Sequence, residues 1–182
     1  MTDQATTAAA PGTPEIPGKP TSASRTTLSH IMTQADTNLL GTVHGGVIMK
    51  LVDDAAGAVA GRHSGGPAVT ASMDEMAFLE PVRVGDLVHA SAQVNWAGRT
   101  SMEVGVRVLA EPWNEAGVEP VRVATAYLVF VAVDEAGRPR AVPPVEPETA
   151  EDRRQFGEAE IRREHRLARR EAIRRSRATG GG

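Results

Sequence analysis

The segment from Gly45-Gly46 to Arg62 constrains this chain most, because Val47, Leu51, Ala55 and Val59 recur every four residues with Ile48, Val52 and Ala56 beside them. The pattern predicts a helix over 47–62. Its apolar stripe is broad and continues through small residues, which suits a helix wrapped by a sheet better than one lying on a surface. At about 1.5 Å rise per residue it spans roughly 24 Å, enough to cross several strands. His63-Ser64-Gly65-Gly66-Pro67 ends it through glycine and proline.

The rest of the chain supplies the sheet. Residues 27–33 read as a strand and 34–42 as a loop holding Asp36, Asn38 and Gly41. After the helix, 68–79, 86–96, 100–113 and 118–133 are strand candidates; Met102, Val104, Val106 and Val108 alternate with Glu103, Gly105 and Arg107. Ala97-Gly98-Arg99 and Asn114-Glu115-Ala116-Gly117 suit hairpin turns. Strand, helix, then four mostly antiparallel strands make an α+β fold, in which the one central helix covers one face of the sheet. The 182 residues suit a single domain with tails, and that domain is placed at 26–146. Residues 1–25, rich in Thr, Ala, Pro, Ser and Gly without an apolar period, are expected to be a disordered tail. Residues 147–182 are expected to form a charged helical extension, laced by pairs such as Glu158 with Arg162, that frays or docks weakly.

Composition removes several function classes. The chain has no cysteine, which excludes disulfides, thiolate zinc sites and cysteine nucleophiles. Aromatics make up only 3%, so the core is aliphatic. The net charge of -3 argues against a dedicated polyanion binder. From Glu148 onward ten Arg face seven acidic residues, but Arg is used almost to the exclusion of Lys throughout, so a nucleic-acid partner is not expected. No apolar run approaches the roughly 20 residues of a membrane span and no basic-then-apolar leader opens the chain. A cytoplasmic protein without membrane partner is the expectation.

Chemistry then falls to oxygen and nitrogen groups. Gly45-Gly46 at a helix start leaves backbone N–H groups uncovered, with the partial positive charge of the helix dipole, and such donors suit an oxyanion. A Gly-Gly pair by itself more often serves only a tight turn. Asp53 adds to the case: it lies about two turns into the apolar helix, where a carboxylate needs a reason to be. Its neighbour Asp54 points about 100° away, so one of the two faces the sheet or a partner and the other water. The periodicity alone equally allows both to be solvated. No G-x-S-x-G elbow, Walker loop or H-E-x-x-H is present.

Asn38-Leu39-Leu40-Gly41-Thr42-Val43-His44-Gly45-Gly46 with Asp53, then Met76-Ala77-Phe78-Leu79-Glu80-Pro81-Val82-Arg83-Val84-Gly85-Asp86, Gly98-Arg99-Thr100-Ser101, and Phe130-Val131-Ala132-Val133-Asp134 before Gly137-Arg138-Pro139-Arg140, resemble the hotdog-fold acyl-CoA thioesterases related to bacterial YciA and the brain acyl-CoA hydrolases. The likeness covers about residues 27–145. It implies a hotdog domain hydrolysing acyl-CoA, with CoA as part of the substrate and no cofactor or metal. It implies Asp53 as general base or nucleophile, and Asn38, from the opposite subunit, as the residue orienting water or the thioester. Gly45 and Gly46 become the donors to the carbonyl. Gly98, Arg99, Thr100 and Ser101 meet the CoA phosphates, and Arg138 and Arg140 reach toward the nucleotide end. The assembly implied is a homodimer at least, and a hexamer as a trimer of dimers.

The scheme is chemically sufficient, because a thiolate leaves without an acid and a base with an oxyanion site is all the reaction needs. His44 reads more readily as a helix-start residue bonding locally than as a second base. Thr70 and Ser72 are candidates to bond Asp53 or water, though strand hydroxyls are more often structural. Acyl-chain length is not legible in the sequence, since pocket depth depends on how residues such as Met49, Met73 and Met76 pack between subunits. The alternative is a non-catalytic module that binds acyl-CoA as sensor or carrier.

Overall fold

The computed structural model describes residues 16–179. Its elements are β1 (Lys19–Pro20), β2 (Thr26–Ile31), α1 (Gly45–Ser64), β3 (Ala68–Phe78), β4 (Asp86–Ala97), β5 (Ser101–Pro112), β6 (Val121–Ala132), β7 (Val145–Glu146) and α2 (Ala150–Thr179), with single 3-10 turns at Thr21–Ala23 and Gln34–Asp36. Five strands form one sheet in the order β2-β4-β5-β6-β3, every neighbouring pair antiparallel. β3 is an edge.

Alternation selects the core. Val88, Ala90, Ala92 and Val94 of β4, Met102, Val104, Val106 and Val108 of β5, and Ala124, Ala126, Leu128 and Phe130 of β6 turn to one face. They bury Ile48, Val52, Ala55, Ala56, Val59 and Ala60 of α1. The small side chains on both surfaces let α1 lie close, so few aromatics are needed. α1 runs two residues further at each end than the apolar period predicts. His44 caps its start, and Gly65, at φ 71°, closes its end by donating to Gly61 O at 2.9 Å.

Two expectations are corrected. Residues 16–25, placed in the disordered tail, carry β1, which pairs in parallel with β7, and bury Thr21 and Ser24. The Lys19 ammonium donates to Arg62 O at 3.2 Å and His63 O at 2.8 Å, closing the C-terminal carbonyls of α1. Local composition carries no trace of partners that lie more than forty residues away; residues 1–15 of that tail lie outside the described residues.

The second correction concerns the charged extension, which docks firmly. α2 lies on the sheet face opposite α1, where Gln93, Glu103 and Tyr127 meet it. Glu103, 1% exposed, receives Arg162 Nη2 at 2.7 Å, and the same guanidinium stacks 3.6 Å over the Tyr127 ring. Arg166 pairs with Asp74 of β3, both side chains 9% exposed. Thr149 and Asp152 exchange hydrogen bonds at the helix start, and Asp152 also receives Arg25 at 2.8 Å. The expected Glu158–Arg162 pair is present only at 3.9 Å, because Arg162 gives its closer bonds to Glu103. Beyond Arg166 almost every described residue of α2 is exposed.

Candidate active site

The loop before α1 is ordered by its own polar groups. Asp36 accepts from the Thr33 N–H at 2.7 Å and the Thr33 hydroxyl at 2.8 Å, and these bonds hold its carboxyl below the usual carboxylate range. Asn38 Oδ1 accepts from Leu40 N–H at 2.8 Å and Thr42 N–H at 3.3 Å, and its Nδ2 donates to Thr42 Oγ1 at 2.9 Å. Asn38 is therefore the brace of the loop. It leaves Leu39 and Leu40 at 106% and 88% exposure on the tip.

The helix start follows directly. His44 N–H donates to Asp36 O at 2.7 Å, and His44 Nδ1 accepts from Gly46 N–H at 2.9 Å. His44 is thus the N-cap of α1, and Gly46 N–H is engaged by it. The Gly45 N–H lies outside that cap. A side chain at Gly45 would come 3.3 Å from the Phe78 ring, so the glycine keeps this end open. A groove of about 340 Å³ runs from it, lined by Val43, Ile48, Phe78, Leu79, Pro81, Val82 and Val123, with Glu80 at its rim.

Asp53 lies on the exposed side of α1, where Thr70 of β3 donates to its Oδ1 at 2.8 Å. Asp54 instead pairs with Lys50 at 2.5 Å. Ser72 donates to Asp74 at 3.3 Å, so of the two strand hydroxyls only Thr70 reaches Asp53. One turn before Asp53 on the same helix, Met49 is 42% exposed. Met73 and Met76, by contrast, pack against the core.

The β4–β5 hairpin and the segment after β6 meet at the other end of the sheet. Gly98 N–H donates to Ser101 O at 2.8 Å, and a side chain at Gly98 would collide with the Trp96 ring. Arg99 O and Thr100 O accept from Val142 N–H and Ala132 N–H, both at 3.0 Å. Arg99 itself is exposed. Arg138 pairs with Asp134 at 2.9 Å. Arg140 donates to Ser64 O at 2.8 Å, Ser64 Oγ at 3.1 Å and Val133 O at 3.1 Å. Its guanidinium thus serves the C-terminus of α1, a duty the sequence did not suggest.

Within one chain Thr70 reaches Asp53, while Asn38 bonds only within its own loop, ahead of the helix start at Gly45. Gly45 and Asp53 are eight residues along one helix, about 12 Å at 1.5 Å per residue. A base and an oxyanion donor must both come within about 3 Å of one reacting group. Asp53 and the Gly45 N–H of one protomer are too far apart for that.

Comparison with known proteins agrees with this architecture. The Thioesterase superfamily model matches residues 40–116. An uncharacterized acyl-CoA thioester hydrolase of Bacillus subtilis is 44% identical over 117 residues, 64% of this chain and 67% of that protein. The cytosolic acyl coenzyme A thioester hydrolase of Mus musculus is 37% identical over 139 residues, 76% of this chain; the chain spans only 36% of that relative's length. Among solved structures, an acyl-CoA hydrolase of Staphylococcus aureus, in complex with butyryl coenzyme A, coenzyme A and coenzyme A disulfide, superposes with TM-score 0.82 at 34% identity, over 91% of this chain and 100% of that one. Variants of that enzyme with an asparagine, an aspartate or a threonine replaced by alanine have also been solved. An apo-hexameric acyl-CoA thioesterase superposes with TM-score 0.81 at 38% identity, over 85% of this chain and 97% of that one. With a matching domain model, a Bacillus relative 44% identical over 67% of its own length, and a fold shared with solved acyl-CoA hydrolases, the chain belongs to the thioesterase superfamily, in its hotdog-fold group of acyl-CoA thioester hydrolases.

Proposed function

We propose that this chain hydrolyses acyl-CoA thioesters to free carboxylic acid and CoA, at sites built between two copies of itself. The observation that carries the reading is the separation of Asp53 from Gly45 along one helix, which a second copy of the helix start closes. Two features support the pairing. β3 is an edge strand whose free side can extend the sheet, and Leu39 and Leu40 stand exposed on a braced loop beside the oxyanion end. The hexameric thioesterase among the structural neighbours supports a trimer of such dimers.

In this reading Asp53, oriented by Thr70, delivers oxygen to the thioester carbonyl, by activating water or by direct attack. Gly45 N–H and the α1 dipole of the other subunit stabilise the oxyanion, and CoA leaves as the thiolate. Asn38, Asp53 and Thr70 follow one another at the same intervals as the asparagine, aspartate and threonine replaced in the Staphylococcus aureus enzyme. Gly98, Arg99, Thr100, Ser101 and Arg138 are the groups offered to the CoA phosphates. Arg140 can join them only while keeping its bonds to Ser64. The cytosolic name of the murine relative supports a cytoplasmic setting, and among the described residues no helix is long and apolar enough to cross a membrane.

Asp53→Ala tests the reading. Turnover is expected to fall by about 10² to 10⁴ with CoA binding kept. Unchanged turnover in a folded, oligomeric variant sinks the assigned role. Free thiol release across a panel of acyl-CoAs separates hydrolysis from mere binding.

A further inference from the structure

We propose that Arg166 of α2 is a positioning residue for the Asp53 carboxylate, acting through the bulged strand β3. The proposal rests on the role of Asp53 given above. Strand periodicity counted from Thr70 puts Ser72 and Asp74 on the face toward α1. The observed register departs from it twice. Thr70 pairs with Phe130, Ser72 with Val129, Met73 with Leu128 and Glu75 with Tyr127, so that Ala71 and Asp74 are each an extra residue in β3.

The two bulges turn Met73 and Met76 toward the core and place Asp74 under α2. There its carboxylate pairs with Arg166 and accepts the Ser72 hydroxyl at 3.3 Å. A carboxylate 9% exposed needs a cation, and Arg166 supplies it. Without Arg166 the strand must move to bring Asp74 to water. Beyond the bulge that holds Asp74 itself, the next slack along the strand is the bulge at Ala71, beside the residue whose hydroxyl holds Asp53 Oδ1 at 2.8 Å. α2 thus governs the carboxylate from the far side of the sheet, through Arg166, Asp74, Ser72 and the backbone leading to Thr70.

The test is a double-mutant cycle between Arg166→Met and Thr70→Val, assayed with butyryl-CoA, with circular dichroism and oligomeric state checked for each variant. Arg166→Met is expected to lower kcat about tenfold with KM within about twofold, since a small misplacement of a reacting group acts on rate rather than binding. Arg166→Lys restores most of the loss. In the Thr70→Val background Arg166→Met lowers kcat by less than about twofold. Equal losses in both backgrounds, or a kcat indifferent to Arg166→Met, overturn the proposal. If Arg166→Met does not fold, the paired change Arg166→Met with Asp74→Asn, which leaves neither charge of the buried pair behind, completes the cycle under the same criterion. Asp53→Ala measured alongside keeps the two readings apart. Full turnover there removes the Asp53 role, whereas an inactive Asp53→Ala with additive losses at Arg166 and Thr70 removes only that of Arg166.

Discussion

A carboxylate free to rotate makes a poor base, because its productive rotamer is one of several. Thr70 narrows that freedom by bonding Asp53 Oδ1, which leaves Oδ2 outside the bond. His44, two residues before Gly46, has a different duty in the fold: its ring accepts from the helix start. His44→Asn, which caps as well as histidine, is therefore expected to keep Tm unchanged and kcat within about twofold; loss of kcat by orders of magnitude would make His44 a base after all. His63 gives the molecule a pH dependence. It is fully buried, its Nε2 N–H donates to Pro143 O at 2.9 Å, and its Nδ1 has no partner among the described residues. Burial pushes its imidazole below the usual 6.5. The unfolded chain then takes up a proton at His63 before the folded one does, so stability present above about pH 6.5 is lost as pH falls below it. Thermal melts at pH 7.5 and 5.5 should show that decline, and His63→Gln should flatten it.

At the scale of elements, α2 departs most from what its sequence suggests. Read along the chain, it is a run of Arg and Glu in which each surface pair contributes only a few tenths of a kcal/mol. Placed on the sheet, two of its arginines reach carboxylates shut away from solvent. Arg162→Ala leaves Glu103 buried without its cation and is expected to lower unfolding free energy by about 3 kcal/mol, read from the urea midpoint. A change below about 0.5 kcal/mol would return this helix to the status of a solvated appendage. The exposed Glu151 near its start is a different matter: the hydrogen bond from Arg154 holds its carboxyl down to about 2. β3 is the other element that the residue pattern misleads. Thr70 was legible as a hydroxyl near Asp53, but the bulges at Ala71 and Asp74 serve a contact with α2 ninety-two residues later.

For the whole molecule, the apolar tip of the loop is the lever. Leu39 and Leu40 are more exposed than any other large apolar side chain among the described residues, a liability that the proposed pairing of two copies would remove. Leu40→Glu is expected to shift the assembly toward monomer in light scattering. If the site is built between two copies as proposed, turnover should fall in parallel, by about 10² at concentrations where wild type is assembled. A monomeric Leu40→Glu with wild-type turnover would show that one chain suffices, against the separation that the helix imposes on Gly45 and Asp53.

The sequence by itself determined the central helix, its four following strands and the carboxylate carried within it, because periodicity and glycine placement are local properties of the chain. It also determined the family, through the order of its motifs. What only tertiary structure decided were the contacts made across sequence: β1 against β7, Arg140 and Lys19 on the end of α1, and α2 seated on the second face of the sheet through Glu103 and Asp74. A charge looks solvated until the opposite charge that buries it is found, and that partner is fixed by how the chain packs and leaves no mark on the residues beside it.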